Sequence, residues 1–407
     1  MSNIAITGIG IVSPLGIGKK TFWENCRKAE TGIKKIASFD TGSLRSNIAG
    51  VVEDFQPKLF MPPAAYRKMS RVSRMSVAAS IEALKDSGLD MGRVNRERVA
   101  VIMGTAYGSS SRVEDFYVSL LKDGPRGAQP FLFPETVPNA PASHISMFHD
   151  ITGPNTTFCQ NALSAENAIL YAWNLLSQGQ VDIVLVGGAD ELSSIVYSCY
   201  DALGALNKVK VINREQVCPR PGRGLVLGEG SGILVMERLD FALERKADIY
   251  GIFKTGLITG GITSIGHYET EGEQMGRAIS LSLKNAGLEP DDIDQIDVSA
   301  NFSGEAEEME YARIKQIFGN RSGSLEVIPL KYLFGDFGGA GIIRAAAILL
   351  SIHHQEPLPS INIEALKGKS PGPVAWNRGF KRKIGSVLMI SSTFGGGSAG
   401  LIFSGFS

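Results

Sequence analysis

Short runs of β-branched and other apolar residues alternate with segments of helical periodicity along the whole chain. Most of the runs are apolar on both faces, as strands covered by helices on each side are. The predicted strands are Ile4–Thr7, Val99–Met103, Ile183–Gly187, Gly232–Met236, Ile293–Val298 and Val387–Ser391. The pattern predicts an α/β fold whose sheet is buried between helices.

Between the strands, apolar residues recur at the three- and four-residue spacing of amphipathic helices. The predicted helices are Ser70–Asp86, Ala165–Ser177, Gly276–Ala286, Glu307–Phe318 and Ile342–His353. The period is plainest in the second, where one face carries Ala165, Ala168, Ile169, Ala172, Leu175 and Leu176. Asp190–Arg223 and Pro357–Arg378 are predicted as long connections rather than linkers, because neither is of low complexity.

The two halves of the chain resemble each other in their order of elements. Each half contains a helix, then a strand, then a segment of small residues. The corresponding stretches are Val181–Ala189 in the first half and Ile293–Ala300 in the second. Each half then closes with a glycine-rich stretch and a strand, at Gly228–Gly232 and Gly395–Gly400. The pattern indicates a duplicated α/β unit.

The composition narrows the class of protein. The chain has 407 residues, of which 43% are hydrophobic, enough for a large core. Its 41 basic residues balance 41 acidic ones, which argues against a partner such as nucleic acid or an anionic membrane. A local basic patch for an acidic carrier protein is compatible with this balance.

The four cysteines lie far apart and none has a histidine at metal-ligand spacing, so the sequence predicts neither a disulfide scaffold nor a metal site. No apolar run reaches the roughly 18–20 residues of a membrane span. The apolar N-terminus lacks a basic segment and is broken by Pro14, unlike a signal peptide. We therefore expect a cytoplasmic protein.

The glycine-rich segment Ile6–Pro14 has the start of a dinucleotide-binding motif. That motif needs a third glycine and opens a helix, whereas here Pro14 and Gly16 interrupt any helix. The chain also lacks a P-loop sequence. We interpret the segment as the end of a strand followed by a turn.

Five segments, taken together and in order, resemble the β-ketoacyl synthases, the condensing enzymes of fatty-acid and polyketide assembly. They are Ala5–Gly16, Gly153–Thr157, Val181–Ala189, Gly224–Gly230 and Phe394–Gly397. The resemblance covers essentially the whole chain. It implies the thiolase-like fold, in which two similar halves, here residues 1–240 and 241–407, form a five-layer α-β-α-β-α sandwich, and it implies a dimer.

A condensing enzyme holds the growing acyl chain on a thiolate and uses two imidazoles to assist loss of CO₂ and to stabilise the enolate. In the resemblance, the family's cysteine falls at Ala162, counted forward from Gly153 or back from Asn167. A methyl group cannot carry an acyl chain.

The resemblance places the first family histidine at Ser299, with Asn301 as the alternative if the register shifts by two residues. It places the second at Asp336, five residues after a retained Lys331. The histidines of the chain lie elsewhere, at His144, His149, His267, His353 and His354. The Cys-His-His set is therefore absent.

These losses resemble the chain length factor, the ketosynthase-β subunit of type II polyketide synthases. Such a subunit is catalytically silent, forms a heterodimer with an active β-ketoacyl synthase and shapes the tunnel that sets product length, in aromatic or aryl-polyene biosynthesis. An acyl carrier protein delivers the malonyl units on its phosphopantetheine, and no other cofactor is implied. Many chain length factors have glutamine at the nucleophile position, and Ala162 departs from them, which makes malonyl decarboxylation doubtful.

Three further residues match the retained framework of the family. Lys331 and Asp336 are expected to form a salt bridge, Glu229 to accept backbone hydrogen bonds in a tight turn, and Phe394 to remain from the gate over the acyl entrance. An aromatic cluster matches the dimer-facing segment, as tunnel lining or as ordinary core: Tyr107, Phe116, Tyr117, Phe131 and Phe133.

Three alternatives remain open. Cys159 is three residues before the expected nucleophile and could serve an independent acyltransferase or condensing homodimer, although a buried structural cysteine is the default. The chain could instead be a scaffold that only stabilises its partner, or a malonyl decarboxylase.

Overall fold

The computed structural model describes residues 3–212, 217, 219–264, 266–367 and 383–406. Its strands are β1 (Ile4–Ser13), β2 (Gly16–Ile17), β3 (Ile33–Lys35), β4 (Ile48–Gly50), β5 (Val99–Gly104), β6 (Asn155–Phe158), β7 (Ile183–Asp190), β8 (Gly230–Arg238), β9 (Gly251–Thr259), β10 (Gln295–Asp297), β11 (Glu326–Ile328), β12 (Ser386–Ser392) and β13 (Ser398–Ser404). All six predicted strands are present.

The five predicted helices are present as well, with ends shifted by up to three residues. The α-helices are α1 (Lys19–Arg27), α2 (Pro63–Tyr66), α3 (Arg71–Ser87), α4 (Ser110–Asp123), α5 (Ala140–His149), α6 (Ser164–Ser177), α7 (Ser194–Ala202), α8 (Leu239–Glu244), α9 (Glu273–Ala286), α10 (Gly304–Phe318), α11 (Lys331–Phe334) and α12 (Ala340–His354). One prediction was wrong: helix α7 lies inside Asp190–Arg223, which we had taken for a connection.

The sheet consists of two five-stranded units with the same topology. In the first unit the strand order is β6-β5-β7-β8-β1, and in the second it is β11-β10-β12-β13-β9. Numbered within its own unit, each order is third, second, fourth, fifth, first. The first two pairings of each unit are parallel and the last two are antiparallel. This repetition confirms the duplicated α/β unit.

The two units meet along a short stretch where β1 pairs with β9, over Ile4–Ile6 and Gly251–Phe253. The predicted boundary at residues 240 and 241 falls within α8, which connects β8 to β9.

Helices form the remaining layers. Helix α3 packs on β1 and β8 outside the first unit, and α9 packs on β9 and β13 outside the second. Helices α6 and α12 contact each other and strands of both units. Every described residue from Ala340 to Ile352 is buried, because α12 lies between the sheets. The arrangement is the five-layer α-β-α-β-α sandwich of the thiolase-like fold.

Within the described residues, every helix is too short or too polar to serve as a membrane span. In the same part of the chain, no cluster of histidine, cysteine and carboxylate side chains is arranged as a metal site.

Candidate functional site

A sharp strand-to-helix turn joins the edge strand β6 to the central helix α6. A single 3₁₀ turn, Asn161–Leu163, links the two elements. The Ser164 hydroxyl accepts a hydrogen bond from the Gln160 amide at 2.9 Å and donates to the Asn161 carbonyl at 2.7 Å. The turn therefore presents residues 161 and 162 at the N-terminal end of α6, where a helix dipole favours negative charge.

A pocket lies over this turn, between the two halves of the chain. Its wall includes side chains from the turn, from α7, from the loop after β9 and from the segments after α11 and β12. Among the residues that line the pocket are Tyr107, Asn161, Ala162, Asp190, Tyr200, Tyr268, Asp336, Thr393 and Phe394. Ala162, the residue that the resemblance aligns with the family's cysteine, is part of this pocket wall.

Among the residues that the structure describes, no cysteine and no histidine lines this pocket. His144 pairs with Glu135, and His149 contacts the Ser80 hydroxyl at 2.8 Å, both away from the pocket wall. His267 pairs with Glu305 at 3.2 Å on the surface. His353 and His354 are at the C-terminal end of α12. The imidazoles of the chain are therefore engaged elsewhere.

Asn161 also lines the pocket, and sequence reasoning missed it. Its φ of 49° lies in the left-handed region, which asparagine tolerates better than most residues. Asn161 and Tyr200 line the same pocket. Asn161 and Ala162 together form the apex of the turn, and neither side chain is a nucleophile.

Lys331 and Asp336 form the expected ion pair beneath the pocket. Their Nζ and Oδ1 atoms are 2.7 Å apart, and both side chains are buried. The Ser299 hydroxyl accepts from Lys331 Nζ and from the Ser392 amide, each at 3.2 Å. The Ser299 amide donates to Glu310 at 2.7 Å. These bonds hold Ser299 behind the pocket rather than in its wall.

Asn301, the residue of the alternative register, contacts two groups of the pocket wall. Its side-chain amide donates to Asp336 Oδ2 at 2.6 Å and to the Tyr268 hydroxyl at 3.1 Å. Asp336 and Tyr268 both line the pocket. The geometry therefore favours Asn301, the alternative register, as the residue that faces Asp336.

Glu229 is buried and accepts backbone hydrogen bonds, as expected. Its carboxylate accepts from the amides of Val52 at 3.1 Å and Leu192 at 3.2 Å. It also receives two bonds from the Arg71 guanidinium, at 2.7 and 2.9 Å. These donors hold the carboxylate in place. Glu229 therefore has a structural role, because it connects the segments that carry Val52, Arg71 and Leu192.

Asp190 is a buried carboxylate in the pocket wall. Burial raises the pKa of Asp190 to about 6, against the lowering effect of its hydrogen bonds. Its oxygens accept from the Thr105 hydroxyl and from the amides of Ala106, Tyr107 and Gly339. These four donors hold the loop after β5 against the start of α12.

The predicted aromatic cluster divides into two groups. Tyr107 lines the pocket, where its hydroxyl lies 2.6 Å from that of Tyr200. Phe116 contacts Tyr117 and Phe133, with ring centroids 5.8 and 6.1 Å apart.

The second group lies on the surface, so the interpretation as ordinary core was wrong. Tyr117 is 55% exposed, and Phe131 and Phe133 are each 60% exposed. They are on or near α4, where Val118 and Leu121 are also exposed. We call Tyr117, Leu121, Phe131 and Phe133 the aromatic surface.

Cys159 follows β6 and is exposed, which corrects the default of a buried cysteine. It is absent from the described wall of the pocket. Desolvation and the nearby Asp190 charge raise the pKa of the Cys159 thiol, which lowers its thiolate fraction at neutral pH.

Two family models match the chain: the β-ketoacyl synthase N-terminal domain over residues 1–242 and the C-terminal domain over residues 250–364. The chain belongs to the β-ketoacyl synthase family. It is 30% identical over 414 residues to a putative polyketide β-ketoacyl synthase 1 of Streptomyces halstedii, covering 99% of this chain and 98% of the relative. It is 29% identical to a 3-oxoacyl-[acyl-carrier-protein] synthase 2 of Coxiella burnetii, with the same coverage of both chains.

Solved structures of this family share the fold along the whole chain. The ishigamide ketosynthase/chain length factor superposes with a TM-score of 0.87 at 26% identity, covering 100% of both chains. A ketosynthase in complex with its chain length factor from Xenorhabdus doucetiae gives a TM-score of 0.80 at 23% identity, covering 100% of this chain and 98% of that one. Ketosynthases of this family use no cofactor of their own, and the phosphopantetheine is carried by the acyl carrier protein.

Proposed function

We propose that the chain is a chain length factor, a silent ketosynthase-like subunit that pairs with an active β-ketoacyl synthase in polyketide biosynthesis. The observation that carries the proposal is the pocket wall, which has Ala162 and Asn161 at the strand-to-helix turn and no thiol or imidazole among its described residues. Aromatic and aryl-polyene products both fit this assignment.

The replacements fill the site in a way that supports a loss of condensation chemistry. Ala162 stands for the nucleophile, Asn301 for the first imidazole and Asp336 for the second. The amide of Asn301 is bonded to Asp336, and Asp336 is paired with Lys331. An alanine methyl and an asparagine amide can neither carry an acyl chain nor act as a proton donor or acceptor in the way that the family's thiol and imidazole do, which supports a loss of condensation.

The aromatic surface supports a heterodimer. Exposed aromatic rings favour association with a partner, because burying a large apolar side chain stabilises a complex by roughly 1.5–3 kcal/mol. Strand β6 ends the described order of the first sheet unit, so its outer edge offers backbone hydrogen bonds to another chain. In the proposal, an active ketosynthase covers this face, and the rings of the aromatic surface line the product tunnel.

The rival with a specific observation in its favour is an enzyme that uses Cys159, because this thiol is exposed. Its raised pKa and its position outside the pocket wall weigh against that role. Incubation with an acyl carrier protein that bears an acyl group distinguishes the two hypotheses, because only an enzyme with a nucleophilic Cys159 would accept that group.

Intact-mass spectrometry after incubation with acyl- and malonyl-carrier protein tests the proposal, with and without a partner ketosynthase. We expect acylation of the partner only. An acyl adduct on this chain that disappears in Cys159→Ser would overturn the proposal and establish a displaced nucleophile. Release of acetyl-carrier by this chain alone would indicate a malonyl decarboxylase.

Product length tests the tunnel. In the reconstituted heterodimer, Phe133→Ala and Phe131→Ala are expected to lengthen the product, because a smaller side chain leaves room for further two-carbon units. Leu243→Ala is the matched control, since Leu243 is 50% exposed on α8, away from the aromatic surface. Unchanged product length in all variants, with the partner's yield lost on deletion of this chain, would indicate a pure scaffold.

A further inference from the structure

Four aromatic rings form a continuous wall along the pocket. Tyr107 and Tyr200 pack edge to face with centroids 6.3 Å apart, and Tyr200 lies 6.4 Å from Phe394. Phe394 in turn packs against Tyr268 at 4.8 Å. Tyr200 and Tyr268 come from parts of the chain with no predicted site role.

Tyr268 stands between two cavities. It lines the pocket over Ala162, and it also lines a surface groove. The other described residues of the groove are Ile262, Thr263, Ser264, His267, Glu269, Thr270, Glu271, Glu273, Glu305, Glu308 and Met309. The side chain of Tyr268 is buried, and its hydroxyl accepts a hydrogen bond from Asn301, which is anchored on Asp336. Tyr268 thus lies between the groove and the pocket.

The backbone around Tyr268 is fastened to the glycine loop that carries Phe394. The Gly395 amide donates to the His267 carbonyl at 3.1 Å, and the Gly261 amide donates to the Gly396 carbonyl at 3.0 Å. Both Gly395 and Gly396 have positive φ, which lets the loop turn tightly against residues 261–268. The two aromatic rings are therefore held together by their backbones as well as by packing.

The groove outside Tyr268 is acidic. Five of its lining side chains are glutamates: Glu269, Glu271, Glu273, Glu305 and Glu308. The arm of an acyl carrier protein bears an anionic phosphodiester, which such a groove repels at short range. The packed ring of Tyr268 and the negative charge of the groove therefore both oppose entry of the carrier arm.

We propose that Tyr268 determines what can enter this pocket and closes it to a carrier-borne acyl arm while small neutral molecules still reach residue 162. The inference deepens the proposed function, on which it rests, because it makes the subunit silent by access as well as by loss of the nucleophile. The carrier then discharges only on the partner.

The test installs a thiol with Ala162→Cys and compares two electrophiles. With iodoacetamide, the thiolate displaces iodide; with S-bromoacetyl-pantetheine 4′-phosphate, it displaces bromide. In each case one C–S bond forms, one carbon–halogen bond breaks and the thiol proton passes to buffer. Peptide mapping by mass spectrometry gives the alkylation rate at position 162 separately from those at the native cysteines.

In Ala162→Cys alone, we expect labelling by iodoacetamide and little labelling by the phosphopantetheine probe. Adding Tyr268→Ala is expected to raise the rate with the long probe by about tenfold or more, because the packed barrier is gone. Adding Tyr268→Phe keeps the ring and should leave the long probe excluded. Leu243→Ala, on the exposed face of α8, is the control and should change neither rate.

Equal rates with the two probes in Ala162→Cys, or no gain from Tyr268→Ala in a folded protein, would overturn the inference. Buried Cys26 reports folding, because its alkylation would reveal an unfolded variant. If Tyr268→Ala unfolds, Phe394→Ala opens the same wall, and a failure to admit the long probe there counts equally against the inference. Acylation of wild-type Cys159 by acyl-carrier would instead count against the proposed function, so the two failures are distinguishable.

Discussion

The pocket between the two halves of the chain and the aromatic surface on and near α4 differ in how their side chains are satisfied. Around the pocket, Asn301 donates to both Asp336 and Tyr268, and four donors surround Asp190. On the aromatic surface, Phe131 and Phe133 are each 60% exposed. The first region is complete within one chain, whereas the second has apolar area that only another molecule can cover.

The difference separates two kinds of loss. A site that has given up its chemistry can refill itself with internal hydrogen bonds, because buried polar groups without partners are costly. A surface with exposed aromatic rings favours binding, because a partner molecule can remove the rings from water. Four predictions follow from this contrast, beginning with the largest expected effect.

The interior is expected to be most sensitive at Arg344, a fully buried residue on α12. Its Nε lies 2.7 Å from Asp297 Oδ2, and its Nη1 lies 3.6 Å from Glu166 Oε1. Arg344→Met would leave two carboxylates without their counter-charge and should lower the free energy of unfolding by about 3–5 kcal/mol. Denaturant titration measures it, with Arg344→Lys as the charge-keeping control. Wild-type stability in Arg344→Met would contradict the prediction.

The second prediction concerns pH. Burial raises the pKa of Glu310 to about 8 and that of Glu307 to about 7. The folded state therefore holds more protons than the unfolded state above the ordinary carboxyl pKa, and stability falls as pH rises toward 8. Between pH 6 and 8 we expect Glu310 alone to lower the unfolding free energy by about 2 kcal/mol. Glu310→Gln should flatten the profile, and an equally steep profile in that variant would refute the assignment.

The third prediction addresses the aromatic surface. Phe133→Ala with Tyr117→Ala should leave the unfolding free energy of the isolated chain within about 0.5 kcal/mol, because both side chains are largely exposed. The affinity for the partner ketosynthase should fall by about tenfold or more. Calorimetric titration provides the measurement and Leu243→Ala the control. A stability loss without an affinity loss would show that these rings serve the monomer.

The smallest effect is expected inside the pocket. Tyr107→Phe removes the hydrogen bond between the Tyr107 and Tyr200 hydroxyls and keeps the ring packing. The loss should be about 0.5–1.5 kcal/mol of unfolding free energy, with no effect on partner affinity. Reduced affinity for the partner would mean that the pocket and the aromatic surface are coupled, contrary to the contrast drawn above.

Much of the fold was predictable because its signals are local. The buried face of α6, from Ala165 to Leu176, follows directly from its period, and all six predicted strands exist. Helix α7 was missed because Ser194–Ala202 is short and mixes polar with apolar residues, although Tyr197, Tyr200 and Asp201 share its buried face. Its amphipathic packing against the site depends on neighbours that are remote in sequence.

The site was predictable only where a motif fixed the spacing. Counting placed Ala162 and Asp336 in the pocket wall, and Lys331 beneath it in contact with Asp336. It left two registers for the first family histidine, Ser299 and Asn301, and only the structure shows that the Asn301 side chain touches Asp336. Asn161 could have been noticed as an asparagine beside a sharp turn. Tyr200 and Tyr268 carried no such signal.

The sequence by itself determined the duplicated α/β order, the family and the absence of a cysteine and two histidines from the expected positions. These features depend on periodicity and spacing, which a linear chain displays. Only the tertiary structure decided that Asn301 donates to both Asp336 and Tyr268, that the aromatic rings divide between pocket and surface, and that Cys159 is exposed outside the pocket. Those facts join residues dozens of positions apart, and such contacts exist only after the two sheet units have packed around α6 and α12.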